Sequence, residues 1–370
     1  MSYLASRMGC IDASGIRKVF ALAAQMKDPV NLSIGQPDYD VDEAVKETAI
    51  SAIRSGHNTY TQTWGNQDLR DAVIGYYQRR FDVTPQNIMI TSGVTGGLFL
   101  ALMATINPGD EAIFADPYFV MYPHLVNLLG GKGVPVDTYP DFKLTPERIE
   151  PHITPKTKMI IVNAPSNPTG VTLNADELRA IADLARKHNL LVLTDEIYEA
   201  LLYDDAPATM VGMYDNVMLL NGLSKSAGMT GWRVGFAAGP EDIIQAMNTL
   251  QQYSFVCAPA PAQKASVTAL GQDIEKHLAD YREKRDIIYN GLKDTFHIST
   301  RPGGAFYIFP EAPGGDGDAF VAEAIRNNLL IIPGSVFSKR KTNFRISFAA
   351  KNETLHKGID ILTRLAKEFS

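Results

Sequence analysis

A chain of 370 residues, 45% hydrophobic, can bury a substantial core, which excludes a disordered or fibrous protein. Its net charge of -6 offers no concentrated basic face, so nucleic acid is set aside as a partner. The two cysteines, Cys10 and Cys257, form no CxxC pair, and no stretch approaches the roughly 20 apolar residues that span a bilayer. With no basic segment and apolar core at the start to act as an export signal, a soluble, unexported protein of the reducing cytoplasm is expected.

From about Asp42 onward, short apolar runs alternate with longer helical stretches, the pattern of βαβ units around a largely parallel sheet. Strands are predicted at 87–91, 111–115, 158–163, 190–194, 217–221 and 233–238. The clearest helix is 175–188: Asn174 can cap it with Glu177 three residues on, and Leu178, Ile181, Ala182 and Ala185 share one face. After the turn-prone segment YSFVCAPAPAQ come a long helical stretch, strand-like runs at 305–309 and 344–348, and a final helix from about Glu353. The expected fold class is α/β: a large domain over 42–252 with a mostly parallel sheet flanked by helices, and a smaller α+β domain built from both chain ends, 1–41 and 253–370.

In open α/β sheets, ligands bind beyond the carboxyl ends of the strands. Five predicted strands end in unusual residues: Ser92-Gly93-Val94-Thr95-Gly96-Gly97, Asp116-Pro117-Tyr118-Phe119, Asn167-Pro168-Thr169-Gly170, Asp195-Glu196-Ile197-Tyr198, and Gly222-Leu223-Ser224-Lys225. These are expected to meet at one crevice, with cis peptides at Asp116–Pro117 and Asn167–Pro168.

Each signal has an ordinary reading beside the chemical one. Lys225 is either a solvated lysine or an amine held in an apolar crevice, where a depressed pKa lets it attack a carbonyl and form a Schiff base. Asp195 is a turn carboxylate or the ion-pair partner of a pyridinium nitrogen. The small residues at 92–97 punctuate the chain or expose backbone N–H groups to a phosphate at a helix start. Asn167 starts a turn or hydrogen-bonds a ring oxygen and a carboxylate. Phe119 is core or a stacking plate, and Tyr198 is a strand-end aromatic or a donor to a phenolic oxygen. Arg345 is less ambiguous: in FRISF, period-2 alternation puts Phe344, Ile346 and Phe348 on one face and Arg345 with Ser347 on the other, where a guanidinium calls for a carboxylate. Motifs for dinucleotides, P-loops, serine hydrolases and zinc proteases are absent, and the histidines lack metal-ligand spacing.

Read in order, SGIRKVF at 14–20, LSIGQPDYD at 32–40, YTQTWGNQDLRDA at 60–72, DPYFVMYP at 116–123, NAPSNPTG at 163–170, TDEIYEAL at 194–201, NGLSKSAGMTGWRVGF at 221–236, PGGAFYIFP at 302–310, IPGSVF at 332–337 and FRISFA at 344–349 carry a resemblance. The chain resembles the class I aminotransferases of the fold-type I pyridoxal-phosphate family, specifically the aspartate-aminotransferase-like subgroup. The most diagnostic segment is SKSAGMTGWRVG, in which the family's lysine and phosphate-binding arginine match Lys225 and Arg233. One departure is Gly222, where some members have a phosphate-binding serine.

The resemblance implies that Lys225 holds pyridoxal 5'-phosphate and shuttles a proton, while Asp195 keeps the ring nitrogen protonated. It implies hydrogen bonds from Tyr198 and Asn167 to the phenolic oxygen and stacking by Phe119. The phosphate falls to Gly93, Val94, Thr95, Ser224 and Arg233, with Tyr60 reaching the site of a neighbouring subunit in a homodimer. The substrate carboxylate falls to Arg345, Asn167 and the backbone of Gly35. The implied activity is amino transfer between an L-amino acid and a 2-oxo acid, with glutamate/2-oxoglutarate as one pair. Rival readings are β-elimination or C–S cleavage on the same scaffold, and a pyridoxal-phosphate-binding regulatory module.

Overall fold

The computed structural model describes residues 3–369 apart from 14, 17, 18, 20, 21 and 23, so the motif at 14–20 lies largely outside the described residues. The strands, in chain order, are β1 (Val30–Asn31), β2 (Met89–Thr91), β3 (Glu111–Asp116), β4 (Lys132–Asp137), β5 (Thr157–Asn163), β6 (Leu191–Asp195), β7 (Val217–Gly222), β8 (Gly235–Ala238), β9 (Tyr307–Ile308), β10 (Leu329–Leu330), β11 (Ile332–Pro333) and β12 (Phe344–Ser347).

Seven of them form one sheet in the order β2-β8-β7-β6-β5-β3-β4. Only β8 runs antiparallel to its neighbours, so the ends of β2, β3, β5, β6 and β7 open on the same edge. These are the five strands whose ends carry the unusual residues. The edge strand β4 was not foreseen. Its sequence, KGVPVD, contains Gly133 and Pro135 and is only partly buried, so it shows neither a clean alternation nor a continuous apolar run.

The central strands are apolar along their length because helices cover both faces. Phe114, Ile161 and Leu193 pack on one side with Leu98, Ala101 and Leu102 of the helix Gly93–Thr105. Ile113, Ile160 and Val192 pack on the other with Leu178, Ile181 and Ala185 of the helix Ala175–Lys187. That helix starts with the expected capping box: the Asn174 Oδ1 accepts from the Glu177 amide at 2.9 Å, and the Glu177 carboxylate accepts from the Asn174 amide at 2.9 Å.

Strand β1 pairs in parallel with β10, while β11, β12 and β9 form an antiparallel sheet. Phe306, Ile308, Phe344, Ile346 and Phe348 enter a separate core with Tyr281, Leu355 and Leu362 from the helices Glu275–Leu292 and Asn352–Phe369. Tyr198 and Leu201, just past β6, join that core. The chain therefore passes from the sheet's cores at Val192 and Leu193 into this separate core just beyond Asp195. No helix among the described residues is long and apolar enough to cross a membrane.

Candidate active site

Asp195 ends β6 and is 4% exposed. Its Oδ2 accepts from the Tyr122 hydroxyl at 2.8 Å, and its Oδ1 accepts weakly from the Ile197 amide at 3.3 Å. Burial pushes this carboxyl up to about 6, while Tyr122, the Ile197 amide and the charge of Lys225 hold it down.

Lys225 follows β7 in the turn that begins at Leu223. Burial lowers its ammonium to about 8; Arg345 and Arg233 push the same way and Asp195 opposes them. Its Nζ donates to the Gly35 carbonyl at 2.6 Å and lies 6.0 Å from the ring centres of both Tyr198 and Phe306.

Arg345 is 1% exposed. Its Nη1 donates to Asn167 Oδ1 at 2.9 Å and its Nη2 to the Ser33 carbonyl at 2.8 Å, while its Nε has no partner. The guanidinium lies 4.5 Å from the Tyr307 ring centre and 4.7 Å from that of Phe337. Among the described residues no carboxylate pairs with it. A buried cation with one orphaned N–H is expensive unless a ligand completes it, and a carboxylate has the matching geometry. Asn167 is fixed in turn by its own amide, which donates to Asn163 Oδ1 at 3.0 Å, and Asn163 Nδ2 donates to the Asp195 carbonyl at 3.0 Å. The Tyr198 and Tyr307 hydroxyls share a hydrogen bond of 2.8 Å, linking the Asp195 turn to the Arg345 sheet.

The glycines at the crest make a cradle. Gly93 opens the helix Gly93–Thr105 at φ +69°, and a Cβ there would collide with the Arg233 guanidinium. A Cβ on Gly235 would stand 2.7 Å from the Val94 nitrogen, and one on Gly222 would stand 2.9 Å from Gly235 Cα. That close crossing is the physical reason for Gly222 where a serine was a family alternative. Arg233 sits at φ +57°, an uncommon backbone for a residue with a Cβ, with Nη1 donating to the Thr230 carbonyl at 2.9 Å. The first amides of the helix, including those of Val94 and Thr95, have no intrahelical acceptor, and the Arg233 guanidinium lies beside the Gly93 that opens it. Ser224 is buried in the adjacent turn.

Phe119 packs edge-on against Tyr122 at 5.7 Å, one contact from Asp195. Tyr60 is 82% exposed. The peptides Asp116–Pro117 and Asn167–Pro168 are cis, as are Tyr139–Pro140 and Ala164–Pro165.

Residues 27–362 match the family described as aminotransferase class I and II. The chain belongs to that aminotransferase family. It is 38% identical to a putative aminotransferase of Bacillus subtilis over 97% of each chain, and 34% identical to aromatic-amino-acid aminotransferase 2 of Thermococcus litoralis over 99% of this chain and 98% of that one. The solved aspartate aminotransferase of Rhizobium meliloti superposes with a TM-score of 0.94 at 31% identity, covering 100% of both chains. This aminotransferase falls in the aspartate-aminotransferase-like subgroup, has its α/β fold, and is pyridoxal-phosphate dependent. The buried carboxylate, the depressed lysine and the arginine-lined helix start suit the cofactor's ring nitrogen, carbonyl and phosphate in turn.

Several contributors were not foreseen from the sequence. Tyr307 was accessible to it: in AFYIF the same alternation that isolates Arg345 separates Tyr307 from Phe306 and Ile308, and Tyr307 pairs with Ser347 across the sheet. Tyr122, Ser33 and Phe337 gave no such signal, since each acts through a contact with a distant part of the chain.

Proposed function

We propose that this aminotransferase moves an amino group between an L-amino acid and a 2-oxo acid, with glutamate/2-oxoglutarate as one pair. We propose further that it works in the cytoplasm as a homodimer, with Tyr60 completing the neighbouring subunit's phosphate site and the chain divided into 42–252 and 1–41 plus 253–370. The observation that carries the catalytic reading is the set of contacts joining three buried groups: Arg345 bonds Asn167, Asn167 bonds Asn163 and Asn163 bonds the Asp195 carbonyl, while the Lys225 Nζ lies 6.0 Å from the ring of Tyr198, three residues past Asp195.

Pyridoxal phosphate, when bound, supplies a carbonyl for amines and a ring that accepts the electron pair released at the substrate Cα. The residues then divide the work. Arg345 uses its spare N–H groups for the substrate α-carboxylate, and Asn167, already bonded to Arg345, holds the same end. Asp195, ionised at neutral pH, holds a proton on the ring nitrogen. Lys225 would hold the cofactor through Nζ, and as a free amine it would take and return the proton at the substrate Cα; a pKa near 8 keeps a fraction of that amine unprotonated at neutral pH. Tyr198 would donate to the phenolic oxygen, and Phe119 would cover the ring. Gly93, Val94, Thr95, Ser224 and Arg233 hold the phosphate, and the Gly35 backbone lies against the substrate end. Tyr307, Phe337 and Phe306 wall the crevice and exclude water.

The test is a screen of amino donors, single-turnover and then with 2-oxoglutarate, followed in the cofactor's absorbance. Conversion to pyridoxamine phosphate with a donor, reversed by 2-oxoglutarate, is the expected result. Ammonia and pyruvate in place of that conversion would move the assignment to elimination.

A further inference from the structure

The segment Gly35–Tyr39 touches Lys225 at two separate places. The Gly35 carbonyl accepts from Nζ at 2.6 Å, and the Tyr39 hydroxyl lies 2.8 Å from the Lys225 carbonyl and 3.0 Å from that of Ser226, to which its one proton is shared. Immediately beyond, Gly228 adopts φ +68°, and a Cβ on it would stand 3.2 Å from the Tyr39 carbonyl and 3.4 Å from the Asp40 backbone. The lysine loop is thus laid backbone to backbone on residues 39–41.

The other side of this segment is bolted to one helix. In Glu275–Leu292, residues His277, Asp280, Tyr281 and Lys284 recur at the spacing i, i+3, i+4, i+7 and so occupy one face. The His277 ring stacks on Tyr39 with centroids 3.8 Å apart and planes 14° from parallel, and the Tyr281 ring lies 5.8 Å away. The Asp38 amide donates to the Tyr281 hydroxyl at 3.3 Å. Lys284, 7% exposed, pairs with Asp38 and Asp280, each at 2.6 Å. A helix that brings four side chains to residues 38 and 39 or to the cation that holds them is organised around that segment rather than passing by it.

We propose that Tyr39 is a positioning residue for Lys225, fixing the lysine's own peptide to the helix Glu275–Leu292 through its hydroxyl and its stacked ring. The inference rests on the reading of Lys225 as the residue that carries the cofactor. Its chemical content is that the reach and direction of Nζ are set from the backbone end. Removing the hydroxyl therefore degrades proton transfer more than substrate binding.

The test is Tyr39→Phe in the holoenzyme, which keeps the ring stack and removes only the hydroxyl. Loss of one net hydrogen bond is expected to lower kcat by about three- to tenfold, leave KM within about twofold, and move the pH midpoint of the bound cofactor's absorbance by about half a unit. His277→Ala, which removes the stack and keeps the hydroxyl, is expected to change the same two readouts less. A Tyr39→Phe enzyme with wild-type kcat and midpoint overturns the proposal, even if its Tm falls, because a purely structural contact moves Tm alone. Borohydride treatment of each protein separates the two failures. Wild-type enzyme that fixes no cofactor on Lys225 sinks the site reading and this inference together, whereas a labelled Lys225 with unaltered Tyr39→Phe kinetics sinks only the inference.

Discussion

The segment Asp195–Glu199 has two sides, and both bury carboxylates. Asp195 faces the crevice, where a phenol, an amide and a nearby lysine restrain it. Glu196 and Glu199 face back toward the helix Gln67–Phe81. There Thr209 donates to Glu196 at 2.8 Å, Tyr77 donates to it at 3.2 Å, and Arg80 pairs with Glu199 at 2.7 Å while Tyr76 also donates to Glu199. Burial pushes Glu196 up to about 7. The difference teaches that burial alone does not mark a catalytic acid. On the back side every carboxylate oxygen of the pair has protein donors. On the crevice side the neighbouring cations, Lys225 and Arg345, are paired only with carbonyl oxygens, which leaves their charge to a ligand.

Within that segment the largest effect is expected at Asp195. Asp195→Ala is expected to lower kcat by on the order of 10²–10³-fold, since under the proposed role it removes the charge that holds a proton on the ring nitrogen; steady-state kinetics at saturating cofactor read it. Next comes Arg345→Lys, which keeps the charge but not the fork and is expected to cost on the order of 10²-fold in kcat/KM, carried mainly by KM. Tyr122→Phe withdraws the donor from Asp195 Oδ2 and is expected to lower kcat about tenfold. It should also raise the pH at which Asp195 loses its proton, visible in the cofactor's absorbance titration.

Glu196→Gln is expected to change kcat least, within about threefold, and to act on stability instead. The folded-state pKa of Glu196 lies above its unfolded value of 4.5. The folded protein therefore binds the proton more tightly, and this contribution is lost as pH rises from the unfolded value through about 7. Unfolding free energies from denaturant titrations at pH 5 and pH 7.5 should fall more steeply for the wild type than for the variant. Equal slopes would show that Glu196 does not titrate in this window.

Much of the front side was legible because it is built from strand ends. Asp195 closes an apolar strand, Gly93, Asn167 and Lys225 stand in the turns just beyond three others, and Arg345 puts a cation on the alternate face of a strand whose other face is apolar. The back side was not. Glu196 and Glu199 stood in the same motif as Asp195, but their partners Tyr76, Tyr77 and Arg80 come from a helix about 120 residues earlier, and no local period encodes that docking. The same holds for Tyr122, and for Tyr39, whose meaning depends on a helix that starts at Glu275. Strand β4 escaped because an edge strand with Gly133 and Pro135 lacks the burial that writes a pattern into sequence.

The most direct measurement of the central claim is borohydride reduction of the cofactor-loaded protein followed by peptide mass mapping, on the wild type and on Lys225→Ala. The account expects one pyridoxyl group per chain on Lys225 in the wild type, with no lysine labelled in the variant and a loss of turnover greater than about 10⁴-fold. A label on any other lysine, or a variant that retains both label and turnover, would contradict it.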